Sequence, residues 1–276
     1  DTRGVVERRG ATYPVPLRYL FEPRQGKSWA MNTGLRESAS GIIAFADDDV
    51  RVACGWLESI VGTFQAHQDI SYVGGPVIPI WEAPCPTWFA RTDRVLWGTL
   101  AILDYGSEPF VFEDRRKIPL GANFAIRRAI VERVGLFNPD LGRTSERVLL
   151  GQELPEFFAR VRRAGLRGRY VPLMSVQHHV PAKRLRPSYA RRWWYGKGIS
   201  RARMESLHPI TELGLDLRSV PTIAGVPRFL FGSAARDVIK WIGAAVRGDM
   251  AQRLAAETQL CYFGGQVRER LRQGSR

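Results

Sequence analysis

Cysteine is nearly missing from this 276-residue chain: Cys54, Cys85 and Cys261 are its only three. An odd number at wide spacing suits neither a disulfide framework nor a zinc site, and it points to a reducing compartment. No apolar run approaches the roughly 18 uncharged residues that a membrane-spanning helix requires. Internal repeats, low-complexity tracts, a signal peptide and an initiator Met are all missing. The chain opens on Asp1-Thr2, so it is expected to be a piece whose start lies upstream. Acidic charge is also short, with 27 Asp and Glu against 41 Lys and Arg, a net charge of +14. Such a balance calls for a polyanionic partner: nucleic acid, an anionic membrane surface or phosphorylated substrates. What remains is ordinary for a globular protein, 45% hydrophobic and 25% charged. The length suffices for one large domain, or one domain plus an appendage.

Helix and strand patterns alternate as far as Pro181. Leu17 to Phe21 reads as a strand, and Ser28 can cap a helix through Trp29, Met31 and Leu35. Gly41 to Ala46 is a short β-branched and aromatic run, which favours a buried strand. The next helix places Trp56, Leu57, Ile60, Val61 and Phe64 on one face. A short strand at Ser71 to Val73 leads into a Pro- and Trp-rich stretch, Pro76 to Lys117, read as a long functional loop with short helices. Leu120 to Ile126 reads as a strand. Helices follow at Arg128 to Val134 and Glu153 to Ala164, stopped by Gly135 and Gly165. Tyr170 to Val176 reads as a strand running into His178-His179. This alternation predicts an α/β domain with a mainly parallel sheet flanked by helices, over residues 1–182.

Residues 183–276 have a different character, basic, aromatic and helical. Arg184, Arg186, Arg191, Arg192, Lys197, Arg201 and Arg203 interleave with Tyr189, Trp193, Trp194 and Tyr195. Phe231, Ala235, Val238, Ile239, Ile242 and Val246 make one apolar helical face, opposed by Arg228, Arg236, Lys240 and Arg247. Leu260, Phe263, Val267 and Leu271 make another. Basic amphipathic helices of this kind either lie on a membrane surface or cap the preceding domain's core.

The most informative residues are Asp47-Asp48-Asp49, at the end of the apolar run. Clustered carboxylates at the carboxyl edge of a sheet stand where α/β folds place ligands. They repel one another, and an oxygen-rich set favours a hard divalent ion, Mg²⁺ or Mn²⁺, shared with a phosphate. The plainer reading is a solvated acidic turn that caps the next helix.

Five segments together resemble a family 2 glycosyltransferase of GT-A fold, over about Tyr19 to Arg203. They are Arg24-Gln25-Gly26-Lys27 through Asn32-Thr33-Gly34-Leu35; Phe45-Ala46-Asp47-Asp48-Asp49-Val50; Gly121-Ala122-Asn123-Phe124 through Arg128; Gly151-Gln152-Glu153 with Glu156-Phe157; and Tyr170-Val171-Pro172 before Gln177-His178-His179. The resemblance implies that Asp47 and Asp49, with Asp48 between them, form the aspartate motif that holds a divalent metal on a nucleotide-sugar diphosphate. It implies inversion at the sugar carbon in one displacement, which needs a base for the acceptor hydroxyl. Glu153 is the expected base and Glu156 the fallback; Leu154 stands where many relatives carry an Asp. His178, better than His179, matches a further metal ligand, and a ligating His must be neutral. Lys27 and Asn32 fall near the nucleotide, and Asn123 beside donor sugar and acceptor. Solvated or purely structural roles are the alternatives for each.

The same resemblance implies a nucleotide-sugar donor and a glycan or lipid-linked acceptor, as in cell-envelope or exopolysaccharide synthesis. It places the enzyme in the cytoplasm, peripheral on the inner face of the plasma membrane and against its anionic surface, with no nucleic acid expected. It also implies that a first β-α-β unit carrying the base-binding pocket precedes Asp1, and that this chain alone is weakly active or inactive. Two other readings compete: a non-catalytic basic module that binds anionic membrane or nucleic acid through Arg184 to Arg203, and a degenerate, non-catalytic relative.

Overall fold

The computed structural model describes residues 1–89, 94–114, 117–142, 151–210 and 215–274. Parts of the predicted loop between Pro76 and Lys117 lie outside them, at 90–93 and 115–116. After an N-terminal helix α1 (Thr2–Gly10), the chain forms α2 (Lys27–Glu37), β1 (Ile42–Ala46), β2 (Val50–Val52), α3 (Trp56–Ala66), β3 (Ile70–Gly74) and β4 (Val77–Trp81). Then come β5 (Phe110–Val111), β6 (Asn123–Arg127), α4 (Ala129–Val134), α5 (Glu153–Arg163), β7 (Arg167–Tyr170) and β8 (Val176–Val180). Three helices dominate the remainder: α6 (Pro187–Leu207), α7 (Arg228–Arg247) and α8 (Met250–Gly274).

The central sheet has the order β1-β6-β3-β7-β5, and a smaller one has the order β2-β8-β4. Helices flank these sheets, so the α/β class holds, but the sheet is mixed rather than mainly parallel. In the central sheet only β3 and β7 run parallel. The reason lies in the connection before β6. A parallel neighbour needs a crossover that returns the chain to the same end of the sheet. The long stretch after β4 instead delivers β6 from the opposite end, between β1 and β3. The core beneath is aromatic: Phe45 stacks on Phe124 at 4.3 Å, and Phe137 packs on Phe157 at 4.3 Å.

Several local expectations change. Leu17 to Phe21 forms no strand, and Phe21 is exposed. A strand persists only with a partner for its backbone, and β1 pairs with β6 alone. Gly26, not Ser28, is the N-cap of α2, and Ser28 is buried inside the first turn. Trp56, Ile60 and Phe64 bury a narrow stripe of α3, while Leu57 and Val61 stay exposed. β7 ends at Tyr170, and His178 sits inside β8 rather than after a strand.

The Arg127-Arg128 pair joins helix ends to strands. Arg127 donates to the carbonyls of Phe64 at the end of α3 (2.6 Å) and Ile70 (2.9 Å). Arg128 donates to the carbonyls of Leu35, Ser38 and Ser40 around the end of α2. Cationic donors at helix C-termini satisfy carbonyls that the helix leaves unpaired and complement its dipole.

Helices α6 and α8 cross at close range because glycines meet there. A Cβ on Gly198 would fall 2.1 Å from the Tyr262 carbonyl oxygen, and one on Gly265 would fall 2.1 Å from that of Tyr195. Ion pairs brace the crossing. Arg191 reaches Glu257 at 2.6 Å, Arg203 reaches Glu269 at 2.8 Å, and Glu205 receives both Arg201 (2.7 Å) and Arg270. Three cations of the basic segment, Arg191, Arg201 and Arg203, are thus paired with glutamates of α6 and α8.

Candidate active site

The three aspartates occupy the turn between β1 and β2, because the β-branched run ends there and the chain must cross to the second sheet. They reach two neighbouring cavities, with Asp47 lining both. Asp47 and Asp49 line a cavity of about 590 Å³, and Asp47 and Asp48 line a more open groove along β1 and α2. The pairing of β2 with β8 sets Val50 opposite His178. This register brings His178 Nε2 to 3.4 Å from Asp49 Oδ2. His178 is buried, and burial lowers its pKa below the ordinary value, against the raising influence of Asp49. Its imidazole is therefore neutral near pH 7, as a metal ligand must be. Arg184 Nη1 also lies 3.4 Å from Nε2, and it has to turn away before that nitrogen can take a cation. Nδ1 of His178 is buried without a hydrogen-bond partner.

Among the described residues no group of three or more His, Cys, Asp or Glu could hold a metal ion. Asp47 is engaged by the Lys27 ammonium, which also reaches the Gly121 carbonyl at 3.4 Å. That leaves Asp49 and His178 as the protein's adjacent pair. Mg²⁺ and Mn²⁺ sites commonly use one or two protein ligands and fill the remainder with water and substrate phosphate. The residues present fit such an ion.

Glu153 opens α5 and lines the same cavity, with Gln152 and Leu154 beside it. Glu156 does not line it. One turn along α5 and buried, it receives Arg160 through Nε (2.7 Å) and Nη2 (2.9 Å), and its Oε1 lies 2.9 Å from His208 Nε2. With its oxygens committed, Glu156 acts as a brace between α5 and the end of α6 rather than as a reserve base.

The two asparagines are also placed differently from expectation. Asn32 is buried and exchanges both side-chain hydrogen bonds with the backbone of Phe137, at 2.9 and 3.0 Å. Asn123 is completely buried. Its oxygen accepts from Trp56 Nε1 at 2.9 Å, and its amide donates to the carbonyls of Pro76 (2.9 Å) and Met174 (2.6 Å). Both lie beneath the cavity rather than in it. Gly121 and Ala122 form the wall instead.

The rest of the lining was only partly legible in the sequence. Arg184, Tyr189, Trp193, Lys197 and Arg201 come from α6 and the turn before it. Arg162 and Arg163 of α5, Gly98 and Thr99 of a 3-10 turn (Arg94–Leu100) and His208 complete it. The charge run of α6 marked the first group. No sequence signal marks His208 or the 3-10 turn, which reach the cavity through tertiary packing alone.

The arrangement is one cavity lined by the carboxylates of Asp47, Asp49 and Glu153, the His178 imidazole, and cationic and aromatic side chains, with Lys27 on Asp47 and Arg184 beside His178. The family model for Glycosyl transferase family 2 matches residues 1–135. Glucosyl-dolichyl phosphate glucuronosyltransferase of Haloferax volcanii is 25% identical over 190 residues, covering 68% of this chain and 58% of that protein. Pre-mycofactocin glycosyltransferase of Mycobacterium tuberculosis is 29% identical over 185 residues, covering 65% of this chain and 36% of that protein. The chain therefore spans less than two thirds of the length of these relatives. Among solved structures, the mannosyltransferase PcManGT from Pyrobaculum calidifontis, in complex with GDP-Man and Mn²⁺, has a TM-score of 0.58 at 17% identity. That match covers 97% of this chain and 74% of the other, and it shows a shared fold.

Proposed function

We propose that this chain, whose residues 1–135 match the family model for glycosyl transferase family 2, serves an inverting transfer of a sugar from a nucleotide-sugar donor to a lipid-linked or polysaccharide acceptor. The observation that carries this reading is the convergence of Asp47, Asp49, His178 and Glu153 on one cavity. The dolichyl phosphate in one relative's name and the GDP-Man and Mn²⁺ in a structural neighbour's title support the acceptor and donor classes.

In this reading the acceptor hydroxyl enters beside Glu153, whose carboxylate takes its proton as the oxygen bonds to the anomeric carbon. The bond from that carbon to the diphosphate oxygen breaks, and the nucleoside diphosphate leaves with the electron pair. Attack from the far side inverts the carbon through an oxocarbenium-like state. Asp49 and His178 would hold the divalent ion, which when bound supplies Lewis-acid neutralisation of the leaving diphosphate. Lys27, fixed at the start of α2 against Asp47 and Gly121, keeps a second positive charge in the cavity. Arg184, already at His178, is placed to turn toward phosphate oxygens. With a lipid-linked acceptor the protein works as a peripheral enzyme on the inner face of the plasma membrane. No helix among the described residues is long and apolar enough to cross one.

A basic module binding polyanions through Arg184 to Arg203 is disfavoured, because Arg191, Arg201 and Arg203 are already paired with glutamates. The test is a screen of UDP-, GDP- and dTDP-sugars with Mn²⁺, reading donor turnover and transfer. Turnover that is abolished by chelation and restored by Mn²⁺ is expected, and the Asp49→Asn variant should lose it. Undiminished turnover in Asp49→Asn, or indifference to chelation, would remove the metal–diphosphate assignment.

A further inference from the structure

Helix α7 leaves its most apolar face in water. Of its residues only Ala244 is buried. Val238, Ile239, Ile242 and Val246 are 43%, 69%, 51% and 83% exposed. They recur at three- and four-residue spacing, so they form one ridge along the helix. Packing against α8 uses a different side of α7, where Trp241 donates to Glu257 at 3.0 Å. Phe231 closes the edge of the ridge on Phe263, at 5.3 Å. The ridge therefore does not cap the α/β core.

The charge around this ridge is net positive. Arg236, Lys240 and Arg247 share one flank, and Lys240 is 70% exposed. The helix's one acid, Asp237, is largely covered, its side chain 15% exposed, and its carboxylate lies 3.4 Å from Lys240 Nζ, so the flank keeps a net positive charge from Arg236 and Arg247. An apolar ridge beside a flank of net positive charge is the geometry of a helix lying in the plane of a bilayer interface.

We propose that α7 docks flat on an anionic lipid bilayer, with Val238, Ile239, Ile242 and Val246 at the acyl boundary and Arg236, Lys240 and Arg247 on headgroup phosphates. This deepens the reading of a lipid-linked acceptor, on which it rests for its purpose though not for its geometry. Charge decides the occupant. A second copy meeting this face through its own α7 would bring two cationic shoulders together. Nucleic acid would satisfy the shoulder and leave the ridge in water. The arginines of α6 are largely taken up by glutamates, so the membrane surface moves from the Arg- and Trp-rich segment to α7.

Flotation of the purified full chain with vesicles tests this directly, without donor or acceptor present. Binding is expected to vesicles of phosphatidylcholine mixed with phosphatidylglycerol, to weaken with salt, and to be lower on phosphatidylcholine alone. The Ile239→Glu/Val246→Glu variant alters only exposed positions, so it should keep its helix content and yet lose flotation. Replacing Arg236, Lys240 and Arg247 by Gln should weaken binding to the anionic vesicles by about fivefold per cation removed. Wild-type protein that stays unbound overturns the proposal, as does an Ile239→Glu/Val246→Glu variant that floats like the wild type. So does a dimer that this variant abolishes while flotation is absent. Loss of sugar transfer with flotation intact would count against the proposed function and leave the membrane surface standing.

Discussion

Removing the Asn123 side chain should destabilise the fold rather than empty the cavity. The amide joins three parts of the fold: Trp56 at the start of α3, Pro76 between β3 and β4, and Met174 before β8. In Asn123→Ala the Trp56 indole N–H loses its acceptor in a buried position, and the Met174 carbonyl loses the amide that donates to it. The Pro76 oxygen keeps the amide of Val176 at 3.0 Å and loses less. A buried polar group left unsatisfied costs about 1–3 kcal/mol, so two such groups give about 4 kcal/mol. At about 2–4 °C per kcal/mol for a chain somewhat smaller than this one, melting should fall by roughly 10 °C. Asn123→Asp should be worse, because a carboxylate cannot donate to two carbonyl oxygens. The check is calorimetry or denaturant unfolding of Asn123→Ala, Trp56→Phe and the double variant. With the indole donor already absent, the Asn123→Ala change should cost about 1–2 kcal/mol less. An unchanged melting temperature together with weakened nucleotide-sugar binding would refute the structural role and return Asn123 to the donor site.

The two glutamates of α5 should separate cleanly. Glu156→Ala breaks a buried pair with Arg160 and His208 and should cost about 3–5 kcal/mol in denaturant unfolding. Glu153→Gln should stay within about 1 kcal/mol of the wild type while transfer falls by about 10²–10⁴-fold; the reverse pattern would exchange their roles. Gly265→Val places a side chain where a Cβ already falls 2.1 Å from the Tyr195 carbonyl oxygen. It should cost about 3 kcal/mol or more and speed hydrogen exchange across α8. Gly264→Ala, whose Cβ would meet only the Tyr195 ring at 3.8 Å, should be neutral or slightly stabilising.

Much of the fold was legible because its signals are local. The run from Ile42 to Ala46 is too short and too β-branched for a helix. Gly135 and Gly165 stop α4 and α5 because each takes a positive φ, 79° and 73°, that other residues resist. The Asp47 to Asp49 turn and the start of α5 at Glu153 follow from that order, whereas His178 comes beside the aspartates through the β2–β8 pairing. Strand direction was not legible, because alternation of helix and strand does not say from which end β6 enters.

By itself the sequence determined where the carboxylates stand, since a short apolar strand must end and its polar end must face solvent or ligand. Tertiary structure alone decided which polar residues work in the cavity and which brace it. Asn32 and Asn123 read as ligand contacts until their amides are seen saturated by backbone from Phe137, Pro76 and Met174 and by the Trp56 indole. Glu156 reads as a second base until Arg160 and His208 are seen on its oxygens. The basic segment of α6 reads as a polyanion site until Glu257 and Glu269, each 66 residues from its arginine, are seen across the α6–α8 crossing. The physical reason is one of range. Backbone preferences and periodicity act over a few residues, whereas hydrogen-bond saturation and charge pairing depend on partners that only folding brings near.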